Sequence, residues 1–259
     1  MARKIMYVIL IFILLIPTAG YGEQKSPVDE LELLSDEALQ LTKSQRYQDA
    51  GKILDYFSKQ FSTTAKNGHV LSTDEARAVT VAHQEAADAM VSTAMPHEDR
   101  MNSVTKLRLV MDAITSSHQP MWTDMEEPIM SVFAEVKAAV HDGDTQMFHV
   151  HLNSFLSLYH VIYPSVTIDI PAKQLQQIEA RIRYLDHYRP KIISNAEGMQ
   201  ELEALETDLQ SMFDQVTEDE ADPSLWWVII STGGIIISTL SYVGWRKYKG
   251  ERQKQKKRS

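Results

Sequence analysis

The chain has 259 residues, no cysteine and a formal net charge of −9. The missing cysteine excludes disulfides, a thiol nucleophile, cysteine-ligated zinc and lipobox acylation. The charge is also divided: residues 23–224 carry 16 Lys/Arg against 34 Asp/Glu, or −18, whereas residues 246–259 carry eight Lys/Arg against one Glu, or +7. So acidic a body has no long-range attraction for nucleic acid or anionic lipid.

In chain order, Met1–Gly22 reads as a signal peptide. Arg3 and Lys4 precede the apolar run Ile5–Ile16, Pro17 breaks it, and Gly20 and Gly22 set small residues before a cut at Glu23. Twelve helical residues reach only about 18 Å, short of a bilayer core. Residues 23–217 then read as a helical extracytoplasmic domain. Apolar positions three and four apart predict an opening helix at Leu31, Leu34, Ala38 and Leu41, and a second at Tyr47, Ala50, Leu54 and Phe57. A third runs through Val79, His83, Ala86 and Met90, a fourth through Val104, Leu107, Met111 and Ile114, and a fifth through Ile129, Val132, Val136 and Val140. The sixth (Phe148, Leu152, Phe155, Tyr159, Ile162) is apolar on more than one face, which predicts the most buried helix. The seventh and eighth follow Leu175, Ile178, Ile182 and Leu185, and Leu202, Leu205, Leu209 and Met212.

Boundary signals fall between these stripes: Ser72-Thr73, Pro96, Asp142-Gly143-Asp144, Pro171 and Pro190. Val166–Ile170, bounded by Pro164 and Pro171, reads as an extended loop. Arg46-Tyr47-x-x-Ala50-x-x-x-Leu54 resembles the second helix of a tetratricopeptide-type repeat, but no copy with the same spacing follows. The fold expected is all-α: an irregular multi-helix domain of about eight helices, paired-helix-like, plus one C-terminal transmembrane helix.

Residues 218–224 form an acidic stalk. Leu225–Trp245 is 21 uncharged residues, about 31 Å as a helix, with Trp226 and Trp227 at one end and Tyr242 and Trp245 at the other. Residues 246–259 are a basic tail, which places the C-terminus in the cytoplasm by the positive-inside bias. The expected location is the bacterial cytoplasmic membrane, single-pass, with the N-terminal domain outside. Gly234 and Ser238, four apart, are candidate helix-packing positions for a homodimer.

Residues with catalytic or ligating chemistry are present but poorly spaced. His149 and His151 diverge by about 200° on a helix, and His149 and His160 share a face but stand about 16 Å apart. His83, within an apolar stripe, reads as a satisfied core histidine. Glu126-Glu127 and Asp142/Asp144 could act as acid and base, yet they lie at helix boundaries, where carboxylates complement the helix dipole. No nucleophile elbow, phosphate-binding glycine loop or zinc-protease motif occurs in the sequence. No catalytic residue, metal site or cofactor is therefore expected. Trp122, with Met121 and Met125 in a Pro-flanked connector, is the candidate interaction surface if exposed, and a pin for the loop if buried.

The stretch from Trp122 through His151-Leu152-Asn153-Ser154-Phe155-Leu156, Tyr159 and Ile162-Tyr163-Pro164-Ser165-Val166-Thr167-Ile168-Asp169 resembles the YpjB family of sporulation proteins of endospore-forming bacilli. The layout is similar along the whole chain. The resemblance implies a sporulation role and transfers no site residue. The expected function is that of a membrane-anchored, non-enzymatic interaction or structural protein, whose partner is another envelope protein or the cell wall and not nucleic acid. The alternatives are a membrane-anchored sensor or solute-binding module and, after it, a cell-wall hydrolase.

Overall fold

The computed structural model of the chain describes residues 26–66, 71–116, 119–194, 196–218 and 223–256. The expected signal segment, Met1–Gly22, and most of the acidic stalk lie outside the described residues. No strand occurs among the described residues, and ten α-helices do. They are α1 (Pro27–Lys43), α2 (Tyr47–Lys66), α3 (Thr73–Val91), α4 (His97–Thr115), α5 (Glu126–Asp142), α6 (Thr145–Asp169), α7 (Ala172–His187), α8 (Arg189–Ser194), α9 (Ala196–Glu218) and α10 (Pro223–Lys256). A 3₁₀ turn, Met121–Met125, separates α4 from α5.

Local chemistry sets several ends. Ser26 and Ser72 each accept from backbone N–H groups of the first turn of α1 and α3. Asp29 and Glu75 return the bond to the cap N–H, so both helices open with a capping box. Gly143 closes α5 in the left-handed region at φ 70°, a conformation that would strain an L side chain, and Asp144 caps α6 through Met147 N–H. All eight helices expected from the apolar stripes form. The 3₁₀ turn and α8 are additions: each is too short for periodicity to register, and Pro190 sits inside α8 as well as marking the end of α7.

Consecutive helices pack as pairs, α1 on α2, α3 on α4 and α5 on α6, with α4 also against α1 and α6. Two apolar cores result. The first joins α1 to α4 through Leu31, Leu54, Phe57, Ala86, Leu107 and Met111. The second joins α5 to α9 and the 3₁₀ turn through Trp122, Phe133, Phe148, Phe155, Ile178, Leu209 and Phe213. Helix α4 serves both: Leu107 and Met111 belong to the first, while Leu109 and Ala113, about 200° further round, belong to the second.

Two expectations need correction. Helix α6 is central, touching α3, α4, α5, α7 and the 3₁₀ turn, but its Val150 is 49% exposed. The helix buried around its circumference is α4, which carries even Arg100, Lys106 and Asp112 inside. The apolar stripe misses this because those three positions read as polar. The extended loop at Val166–Ile170 is also not formed. Helix α6 continues through Pro164 to Asp169, because Val161, Ile162, Ser165 and Val166 are all buried and unwinding there would expose them. Burial outweighs the helix bond that proline cannot make.

Beyond Pro223, α10 is one continuous helix of 34 residues, and among the described residues it packs extensively against no other element. Ile229, Ile230, Ile235, Ile236, Ile237, Leu240 and Val243 are all exposed along it. Among the described residues no helix is long and apolar enough to cross a membrane. The side chains of residues 217–228, Ser238 and Trp245, which include both ends of the uncharged stretch, lie outside them.

Candidate functional site

Trp122 does not form a surface. Its ring is fully buried in the second core, 5.5 Å from the Phe213 ring, and its indole N–H donates to Asp169 Oδ2 at 2.6 Å. The neighbouring Met121 N–H donates to Asp112 Oδ2 at 2.6 Å, and Thr123 Oγ donates to the Pro120 carbonyl. These bonds tie the connector to α4 and to the end of α6, so the tryptophan pins the turn, and the docking role expected of an exposed ring passes from it. Met121 is half-exposed and Met125 packs partly against the second core. On α10, Gly234 is exposed and an added Cβ there would meet nothing within 4 Å, whereas the Ser238 side chain lies outside the described residues.

The histidines are engaged separately. His83 sits in the first core, stacked 5.3 Å from Phe57, with Nε2 2.9 Å from the Leu54 carbonyl. His151 pairs with Glu135 at 2.8 Å, and His149 lies 3.5 Å from the Arg189 guanidinium. No group of three or more potential ligands converges among the described residues. Glu126 and Glu127 stand in the first turn of α5 and Asp144 caps α6, the dipole-complementing positions expected of them.

Two concave features were not foreseen. The first is a shallow groove of about 700 Å³ between α2 and α3, with Gly51, Ala87 and Met90 on its floor and Val91, 78% exposed, on its rim. Tyr47 closes one end, its hydroxyl 2.8 Å from His97 Nδ1 and its ring beneath the Arg100 guanidinium, 4.5 Å from Cζ. That guanidinium is buried and donates to the carbonyls of Ala89 and Ser92, acceptors at the end of α3, and to that of Met95 in the connector to α4.

The second is a smaller, more polar cleft of about 190 Å³ where α3, α4 and α6 meet. Lys106, whose side chain is 3% exposed, forms its floor and donates from Nζ to Glu85 Oε2. Asp99 and Asn102 line it from α4, and Ser157 and His160 from α6. Partial burial, and next the Lys106 ammonium, hold the His160 pKa below the usual histidine value, against the opposing pull of Glu85. His160 is therefore neutral at pH 7. Pro164, four residues on, leaves the His160 carbonyl without its helical donor. No sequence signal marks this cleft: Glu85 and Lys106 are 21 residues apart, and the remaining groups come from a third helix.

Elsewhere on α6, burial and then the Glu179 carboxylate raise the Tyr159 pKa, and push that of Tyr163, which bonds to Glu179, up to about 12. Both phenols remain protonated, and Tyr159 is part of the second core.

No solved structure matches the chain. It is similar to an uncharacterised protein, YpjB, of Bacillus subtilis (strain 168), 34% identical over 260 residues, which is 100% of this chain and 98% of that protein. The family model described as sporulation protein YpjB (SpoYpjB) matches residues 28–257, so the chain belongs to that family.

Proposed function

We propose that this protein is a membrane-anchored, non-enzymatic protein of endospore formation, which presents its helical body outside the cytoplasmic membrane to another envelope protein or to the cell wall. One observation carries the anchoring: α10 exposes seven large aliphatic side chains within a stretch whose sequence, Leu225–Trp245, holds no charge. Exposed to water, so large an apolar face would associate or aggregate; in lipid it is at home. The basic residues from Arg246 onward favour the inner leaflet for the C-terminus. The family assignment supports the sporulation setting.

Three experiments on the full chain test this reading. Alkaline carbonate should leave it in the membrane pellet, and release into the supernatant sinks the anchor. Protease added to intact protoplasts should remove residues 26–218 and spare a tag on the tail; a protected body reverses the topology. For the interaction, a photocrosslinker at Val91, on the groove rim, should give a discrete adduct during sporulation. Val91 adducts no different from those at exposed Thr80 would count against that surface.

A second reading, a solute-binding or sensing module, has its own support in the polar cleft floored by Lys106.

A further inference from the structure

A buried ammonium is costly unless its three N–H donors are occupied. Among the described residues, Lys106 Nζ bonds to Glu85 alone, although its side chain is 97% buried. Lys106 lines the cleft, with Asn102 on its wall and Asp99, Ser157 and His160 exposed at its mouth. We propose that the cleft between α3, α4 and α6 binds a small zwitterion of amino-acid size, its carboxylate on Lys106 and its ammonium between Asp99 and Glu85. This rests on the solute-binding reading and not on the membrane anchor.

The charge pattern selects the class. With His160 neutral, the cleft holds one cation and two carboxylates, a net charge of −1, so a bare anion meets more repulsion than attraction. A bare cation gains the carboxylates but is repelled by the lysine, which has no solvent to screen it on its buried side. A molecule carrying both charges a few ångströms apart satisfies the ammonium and the carboxylates together. The Asn102 amide and the Ser157 hydroxyl offer neutral hydrogen bonds to whichever end lies against them, and neutral His160 can donate or accept. A volume of about 190 Å³ is enough to hold a molecule of amino-acid size.

The test uses the full chain in detergent micelles, titrated calorimetrically at pH 7 with each of the standard amino acids, and with acetate and ethylammonium as half-ligands. At least one amino acid should bind once per chain, and both half-ligands about tenfold more weakly or not at all, since each lacks one charged hydrogen-bond set. S157W, on the exposed rim, should abolish that binding and leave the thermal transition of the unliganded protein unchanged. K106M should also abolish it, but it removes a buried side chain and breaks the pair with Glu85, which makes loss of stability an expected complication, so S157W decides. Acetate binding as tightly as any amino acid overturns the zwitterion and leaves solute binding standing. No binding by any probe overturns both, and binding that survives S157W overturns the site.

Discussion

Trp122 and Asp169 are 47 residues apart in sequence and share one short hydrogen bond. Removing the indole empties a fully buried site beside Phe213. Trp122→Ala is therefore expected to cost about 3–5 kcal/mol in urea denaturation, and Trp122→Phe, which keeps a ring but leaves Asp169 without its donor, less. The acceptor also titrates. Burial, opposed by the indole bond and reinforced by nearby Asp112, holds the Asp169 pKa above its ordinary 3.8. A carboxyl whose pKa is raised on folding contributes stability that is complete below about pH 4 and is lost as pH rises through the folded value. Asp169→Asn keeps an acceptor for the indole and carries no charge. Its stability relative to the wild type should therefore improve as pH is raised above about 4, and level off once the folded carboxyl has ionised. A constant difference across that range would mean that Asp169 titrates normally. Arg100 gives a contrasting case, because its planar fork reaches three carbonyls at once and stacks on Tyr47. Lysine keeps the charge but not the fork, so Arg100→Lys should lower stability by about 2 kcal/mol, read in the same denaturation.

At the scale of the element, Pro164 in α6 is a local rule broken for a global reason. It costs the helix a hydrogen bond, and the burial of Val161, Ile162, Ser165 and Val166 holds the turn in place. Pro164→Ala should therefore stabilise the protein, by about 1 kcal/mol or more, because it restores the donor to the His160 carbonyl without removing any core atom. An unchanged or lowered midpoint would mean that the helix is adapted to the proline ring. The same conflict explains what could be read beforehand. The eight long helices that precede α10 were legible because their apolar stripes repeat over three turns or more, and Ser72, Pro96, Gly143 and Pro171 mark ends by chemistry that acts locally. The continuation of α6 was not legible, since proline and the β-branched Val166, Thr167 and Ile168 favour extended chain, and only contacts with distant helices override them. Nor was the cleft, whose pairing of Lys106 with Glu85 depends on how α3 meets α4. The burial of Trp122 is not legible for a like reason: its packing partner Phe213 lies on α9, far along the chain.

For the molecule as a whole, the sharing of α4 between two cores decides how it unfolds. Leu107 and Met111 face the α1–α3 side while Leu109 and Ala113 face α5–α9, and Ile168 packs against both cores. Neither core can lose α4 without exposing the apolar face that α4 gives to the other. The charges along α4 follow the same logic: Arg108 reaches Glu32 on α1 at 3.1 Å and Asp112 on its own helix at 3.5 Å, while Asp112 holds the 3₁₀ turn. A chain ending at Glu218, freed of α10, should therefore be soluble without detergent and unfold in one cooperative transition, although two apolar clusters are present. Leu54→Ala, in the first core, and Phe155→Ala, in the second, should each lower that single midpoint, by about 2–5 kcal/mol in stability, and circular dichroism and the fluorescence of Trp122 should still report coincident curves. If Leu54→Ala instead splits the transition, leaving the Trp122 signal at its original midpoint, then α4 holds its place on the second core alone and the first three helices form a separable unit.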